Sequence, residues 1–478
     1  MSAPRRVSPE PARRGWCPSL ARPMPTGDGL LARVHPPLGI LTPAQARTVA
    51  EGARRFGNGH IDVTARANLQ VRGVTEATRC GLAEAFGAAA LDDVRGDGGP
   101  QRLTLTAPLA GLEATAIDIP TLARSIEVIG LAIPGLPPKA LVAIEAAESG
   151  ACLGGAQPDC HLVATADGLA LQLAGDAAWW DVPADDVLAA LDAALRRLAG
   201  SGQRRMRDLT SSERSDLALG LGLRPAAAPD GAPLPRPGLI PLNSRPLTAR
   251  RQHESPLLEG EGQGEVWSTS EAVTHLTPTF SVQEREPRRA SRPNESTSIA
   301  ILVDAPFGRC TADMLESLAD ATESLGAEPL RLSSTRGALL VAPDAAAAAT
   351  VRTTLAAAGF LTEPGDPRGA VAACPGAPAC ASGSTPTLAD AARLADAFEA
   401  FSVRGLSAHI SGCAKGCAHP AAASLTLVGR DGLYGIVLDG RPDALPATLL
   451  TFDAALERVR RADPAYPDTL AHAFRTPT

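Results

Sequence analysis

The sequence predicts an α+β fold made by pseudo-twofold duplication, on three observations. An internal repeat covers two distant stretches, each copy reads strand, turn, helix, strand, and a longer mixed α/β stretch follows each copy. The segment PPLGILTPAQARTVAEGARRFGNGHIDVTARANLQVRGV, from Pro36, lies on APFGRCTADMLESLADATESLGAEPLRLSSTRGALLVAP, from Ala305, when one single-residue gap is allowed. Pro37, Gly39 and Thr42 then match Pro306, Gly308 and Thr311, while Arg66, Leu69 and Val71 match Arg336, Leu339 and Val341.

In each copy an apolar strand (30–34; 299–303) runs into a Pro/Gly turn. Thr42 or Thr311 then caps an alanine-rich amphipathic helix, and an alternating strand closes the unit. The expected divisions are 1–75 and 299–363 for the repeat units and 76–205 and 364–478 for the mixed stretches, with 206–298 a linker. Within that linker, 243–298 is polar, charged and aperiodic, the composition of a disordered insertion.

At 478 residues the chain exceeds one ordinary domain. A formal charge of −7 argues against general affinity for nucleic acid or anionic membrane. The amino terminus carries arginines without an apolar stretch behind them, and no segment approaches the roughly 18 apolar residues that span a bilayer, so a cytoplasmic location is expected. Nine cysteines in such a chain point to metal binding or catalysis before disulfides. Of the 45 basic residues only Lys139 and Lys415 are lysines. An ammonium is a compact point charge and a guanidinium a wide planar fork, so a tight anion site can demand the former. Both lysines are therefore candidate catalytic residues.

Cys374 and Cys380 bracket five residues, Cys413 and Cys417 bracket three, and a helix-like stretch, 388–401, separates the pairs. Four soft thiolates converging from two loops satisfy either a cubane iron–sulfur cluster or a tetrahedral zinc site. Zinc knuckles favour two to four intervening residues, and the five-residue gap with Pro375, Gly376 and Pro378 departs from that. The spacing favours the cluster.

This C-x5-C and C-x3-C arrangement resembles the signature of the sulfite/nitrite reductase family. The resemblance implies duplicated ferredoxin-like units with two reductase-type α/β domains, a [4Fe–4S] cluster on the four cysteines, and a last cysteine that bridges to sirohaem. TARANLQ, from Thr64, is similar to the family's T-x-R-Q-N-x-Q strand, whose arginine meets tetrapyrrole carboxylates, and LPPK, ending at Lys139, is similar to its L-P-x-K segment. Two departures stand out. The family usually runs P-x-K-x-K, whereas the second lysine position is Leu141 here, and Ala67 stands where glutamine is usual. Losing one cation from a site that reduces a charged anion would cost about a few kcal/mol of electrostatic stabilisation, which argues against sulfite reduction.

RGWCPSLARPMPTGDGLLARVHPP, from Arg14, together with TAPLAGLE, AACPGAPACASGSTPT and AHISGCAKGCAHPAAASLTLVGRDGLY, closely resembles a tetrapyrrole-monooxygenase branch of the family. That branch serves the oxygen-dependent route to cobalamin. The likeness implies hydroxylation of precorrin-3A at C-20 with γ-lactone formation, using dioxygen and NADH-derived electrons from an external donor. It also implies a [4Fe–4S] centre and a mononuclear non-haem iron. A macrocycle fringed by carboxylates calls for arginines, and Arg22, Arg33, Arg66 and Arg102 lie in or beside the matched segments. His409 and His419 flank the last cysteine pair as candidate iron ligands, Lys415 sits between Cys413 and Cys417, and Cys17 reads as a buried free thiol. The competing readings are a sirohaem-dependent sulfite or nitrite reductase and a non-catalytic cluster- or tetrapyrrole-binding protein.

Overall fold

The computed structural model describes residues 16–149, 151–153, 156–165, 168–233, 235–242, 298–326, 328–466 and 468–475. The 243–298 insertion expected from sequence lies outside the described residues but for Ser298, between the strands Gly238–Pro241 and Ile299–Asp304. No helix among the described residues is long and apolar enough to cross a membrane.

The duplication is present and its halves are interlocked. The first half forms a five-stranded antiparallel sheet whose hairpin, Met24–Thr26 and Gly29–Val34, continues through Leu69–Val74 and His60–Val63. Its last strand, Arg309–Thr311, comes from the second half. In return Ile40–Leu41 completes the second sheet, beside Leu330–Leu332, Gly337–Ala342, Ile299–Asp304 and Gly238–Pro241. Each exchanged strand follows a tight turn in which a non-glycine residue holds a positive φ, Leu38 at 52° and Phe307 at 55°.

Helices Pro43–Phe56 and Ala312–Leu325 start where expected. Thr42 accepts from Gln45 N–H in a full capping box, and Thr311 accepts from Met314 N–H. They pack on each other across the pseudo-twofold axis. Arg47 pairs with Asp320 at 2.7 Å and Glu323 at 2.5 Å, and Arg54 with Asp313 at 2.5 Å. These exposed pairs contribute roughly 0–1 kcal/mol each, so the apolar core common to both halves, with Val49, Leu69, Ile301 and Leu340, carries the association.

The register corrects the alignment. Ala32 pairs with Val71 and Arg33 with Gln70, while Ile301 pairs with Leu340 and Leu302 with Leu339. The halves superpose without a gap, so Arg336 answers Ala67, and Leu69 and Val71 answer Ala338 and Leu340. The Arg–x–x–Leu–x–Val match selected an alignment one residue out, and in a strand such a slip turns every side chain to the opposite face.

A six-stranded sheet runs Arg224–Ala226, Trp179–Val182, Gly168–Leu173, Cys160–Thr165, Val142–Ala146 and Thr104–Thr106, covered by Ile119–Leu131 and Val187–Gly200. Its outermost strand, Arg224–Ala226, and the strand Gly238–Pro241 fall in the expected linker. Both are short and proline-bearing or proline-flanked, with no alternation to reveal them. The fourth sheet, Val371–Ala373, Ala408–Ser411, Ala423–Arg430, Leu433–Gly440 and Thr448–Leu450, packs on Thr387–Ser402 and Phe452–Arg461 and carries the four cysteines on its loops.

Candidate active site

Each duplicated sheet turns one face to the shared helices and leaves the other for something else, because side chains alternate along a strand. The remaining faces have diverged. In the first half one row across the sheet reads Arg33, Gln70, Asp62, Arg309, and the equivalent row in the second half reads Leu302, Leu339, Arg331, Ile40. The second face is sealed by Leu109, Leu112, Ala151 and Leu242 into an apolar cluster with Ala300, Leu302, Leu339 and Val341. The first face stays polar and fronts both a cavity and the cysteine loops.

The cavity encloses about 220 Å³ and is lined by Trp16, Cys17, Arg22, Arg33, His35, Arg66, Asn68, Arg95, Arg102, Pro138 and Leu141, among others. All four arginines expected from sequence meet there. With the Gln70 amide oxygen turned toward it, Arg33 donates to Gln70 at 2.7 and 3.0 Å. Arg66 Nη2 donates to the Lys139 carbonyl at 3.0 Å, and Arg22 lies over the Trp16 ring at 4.4 Å. Arg102 differs in role. It is buried, and its guanidinium donates to the carbonyls of Pro36 and Ala67, both at 3.0 Å, and to that of Arg66. It fixes the turn that carries Arg66 and has little left for a ligand.

The electrostatics mark an anion site. Burial, and then Arg205, pull Arg66 down to about 10, eased by Cys17 and Asp159. Burial lowers Arg102 to about 10, with Arg66 adding to the effect against Glu127. Burial, followed by Arg33, Arg102 and Arg66, holds His35 well below the ordinary histidine value, which leaves it neutral at pH 7. Asn68 is 5 % exposed, and its Oδ1 has no hydrogen-bond partner among the described residues. Clustered cations that depress one another are relieved by an anionic ligand, and carboxylates meet guanidinium forks in bidentate fashion. The volume suits the carboxylate-bearing edge of a larger ligand, not a whole macrocycle.

The cysteine loops abut this face. Gly27 N–H donates to the Ala379 carbonyl at 3.1 Å, and a Cβ at Gly27 would stand 1.9 Å from the Pro378 carbonyl oxygen. Arg72, 3 % exposed, donates to Asp28 at 2.7 and 3.0 Å, to Asp62 at 3.1 Å and to the Ala379 carbonyl at 2.6 Å. Cys413 and Cys417 stand near enough to the other cysteines for those to oppose their ionisation. Burial, and then Cys380 and Cys374, raise Cys413 against the pull of Lys415. Cys417 reaches the surface, yet dense protein on its inner side, followed by Cys413, Cys374 and Cys380, pushes its thiol up to about 11. Gly412 N–H donates to Cys374 Sγ at 3.1 Å, and a Cβ on Gly412 would crowd Gly376 and Gly383 at 3.2 Å. Four cysteines on adjoining loops, a backbone donor to sulfur and loops packed glycine on glycine fit an iron–sulfur cluster.

A single ion fares worse. Among the described residues no three of His, Cys, Asp or Glu, the four cysteines included, close around one point tightly enough to hold a single ion. His409 and His419 meet edge to face with centroids 5.7 Å apart, and neither ring nitrogen of the buried His409 has a hydrogen-bond partner among the described residues.

Other expectations landed elsewhere. Lys139 is exposed and gives the site its carbonyl, while Lys415 Nζ donates across the two cysteine loops to Ser382 Oγ at 3.4 Å. Cys17 is half-buried on the cavity wall, not the buried thiol expected, because the segment 16–22 contributes to the cavity lining. Sequence reasoning missed His35, Asn68, Arg72 and Gly27. The alternation Arg33, His35 on an otherwise apolar strand was the available signal for a polar face.

The family model for the nitrite/sulfite reductase ferredoxin-like half domain matches residues 22–89. The Mycobacterium tuberculosis NirA protein has a similar structure, with a TM-score of 0.59 over 94% of this chain and 84% of that one at 18% identity. The chain thus has the fold of NirA, with a nitrite/sulfite reductase ferredoxin-like half domain at residues 22–89. A "Precorrin-3B synthase" of Sinorhizobium sp is 32% identical over 451 residues, 91% of this chain and 85% of that protein. The chain belongs to the precorrin-3B synthase family and is an oxidoreductase. A "Ferredoxin--nitrite reductase" of Leptolyngbya laminosa is 33% identical over only 117 residues, 24% of this chain and 23% of that protein.

Proposed function

We propose that the chain converts precorrin-3A to precorrin-3B in aerobic cobalamin biosynthesis, hydroxylating C-20 and closing a γ-lactone from a ring A acetate with dioxygen and NADH-derived electrons from an external donor. The observation that carries this reading is the nest of guanidinium groups without an ion pair among the described residues, Arg33 on the sheet face that docks the cysteine loops and Arg66 on the turn beside it foremost. Leu141, 2 % exposed, supplies apolar surface to that cavity where the reductases place a second lysine, which favours a macrocycle over a small oxyanion.

A [4Fe–4S] cluster on Cys374, Cys380, Cys413 and Cys417 would supply the single electrons that dioxygen chemistry needs. The chain's own groups do the rest. Arg22, Arg33 and Arg66 bind substrate carboxylates, and Arg102 holds the Arg66 turn in place. Neutral His35 and the unpaired Asn68 oxygen face the cavity, the first able to take or give a proton and the second to accept one hydrogen bond. Lys139 stands beside the arginine cavity and Lys415 on a cysteine loop, where a bound macrocycle would bring further carboxylates. Titrating the anaerobically purified protein with precorrin-3A, followed by absorbance, tests this. Saturable binding to wild type, weakened in Arg33→Ala and Arg66→Ala, is expected, and a protein that carries tightly bound sirohaem in place of that binding would overturn the reading.

A further inference from the structure

Arg336 holds the left-handed corner of the turn between Leu330–Leu332 and Gly337–Ala342, at φ 73°. The first half meets the same corner with Ala67 at φ 50°. A left-handed backbone disfavours any chiral residue, so a long side chain kept there marks a use. Room for it is made by Gly308, where a Cβ would stand 2.7 Å from Arg336 Cδ. Its Nη2 donates at 2.8 Å to the carbonyl of Ala418, the residue after Cys417.

The charges around this guanidinium are unbalanced. Asp62, Cys417 and Cys374 are the groups that favour its protonation, against the burial that lowers it. Asp62 is already paired with Arg72 at 3.1 Å and Arg309 at 2.7 Å. Arg336 makes no ion pair of its own among the described residues, and it further disfavours a proton on neighbouring His409. A cation so enclosed needs an anion, and a cluster with four thiolate ligands carries net negative charge, more so when reduced.

We infer that Arg336 is the positioning residue that supplies counter-charge to an iron–sulfur cluster held by Cys374, Cys380, Cys413 and Cys417, favouring its reduced state. The inference rests on the cluster part of the proposed function and not on the substrate. The test compares wild type, Arg336→Lys and Arg336→Gln, purified anaerobically without tetrapyrrole, by iron and sulfide content and by redox titration followed by electron paramagnetic resonance. Arg336→Gln should disfavour reduction at least tenfold, about 59 mV for a one-electron couple, while Arg336→Lys shifts less. Loss of the cluster from Arg336→Gln alone, with Arg336→Lys loaded, also supports the assignment.

Arg336→Gln at the wild-type potential with full iron and sulfide overturns it. So does an equal shift, or an equal loss of cluster, in both variants, which would assign the residue to its bond with Ala418 and not to its charge. A wild-type chain that takes up no iron and sulfide overturns the cluster reading itself. Inactivity of wild type toward precorrin-3A with the predicted potentials in place overturns only the substrate reading.

Discussion

Gly27→Ala puts the docking of the cysteine loops to its most stringent test. Gly27 sits in the hairpin turn between Met24–Thr26 and Gly29–Val34, and its φ lies outside the left-handed region, so alanine meets no backbone penalty there. The obstacle is contact alone. The added methyl would stand 1.9 Å from the Pro378 carbonyl oxygen and 3.1 Å from the Ala379 carbonyl carbon, both backbone atoms that cannot rotate away. Ordinary contact needs the loop to retreat by about 1.5 Å, which would stretch the bonds from Gly27 N–H and Arg72 to the Ala379 carbonyl. Overpacking of this kind costs about 1–3 kcal/mol. Because Cys380 follows directly, the thiol moves with the loop. Thermal unfolding together with iron and sulfide content after anaerobic reconstitution reads both effects, with Gly365→Ala, where nothing lies within 4 Å, as the control. Wild-type stability with wild-type iron and sulfide in Gly27→Ala would refute the docking argument.

Arg66→Ala removes a cavity guanidinium and should weaken precorrin-3A binding by roughly ten- to a hundredfold, the loss of charge-assisted bonds of about 1.5–3 kcal/mol, seen by absorbance titration. Arg72→Met leaves Asp28 and Asp62 short of a buried partner and should destabilise by about 3–5 kcal/mol in urea unfolding, since Arg72 is 3 % exposed. Burial pushes Asp304 up to about 7, opposed by the Thr335 hydroxyl, so the native state holds that proton more tightly than the unfolded chain at 3.8. Its contribution is fully present below about 4 and is lost as pH rises through 7, a swing of about 4 kcal/mol. Asp304→Asn should flatten that part of the pH–stability curve, measured by urea unfolding between pH 4 and 8. Lys139→Ala and Lys415→Ala should lower turnover while leaving thermal stability within about 0.5 kcal/mol, because both ammonium groups are exposed.

The repeat, its capped helices and the cysteine loops were legible because they rest on local signals: Pro/Gly turns, Thr caps and fixed cysteine spacing. Leu141 was legible for the same reason, as a missing charge in a short motif. The offset between the halves was not, since Leu69 and Leu339 are equally apolar and only pairing tells which face each takes. Long-range contacts hid the rest. Arg72 reads as one arginine among many in a strand, and nothing local says that it clamps Asp28, Asp62 and a loop some three hundred positions on. Arg102 carried the right location with a different task, because a guanidinium that binds a ligand and one that binds backbone carbonyls look alike in sequence. Arg336 was noticed only through the misplaced match, and its turn conformation gives it a different meaning from Arg66.

Turnover under labelled dioxygen tests the central claim most directly. Anaerobically purified protein with its cluster intact, given precorrin-3A, a reductant and ¹⁸O₂, should yield by mass spectrometry a lactonised product bearing one ¹⁸O atom, and none when the reductant is withheld. Unchanged precorrin-3A in the presence of an intact cluster, reductant and dioxygen would contradict the account.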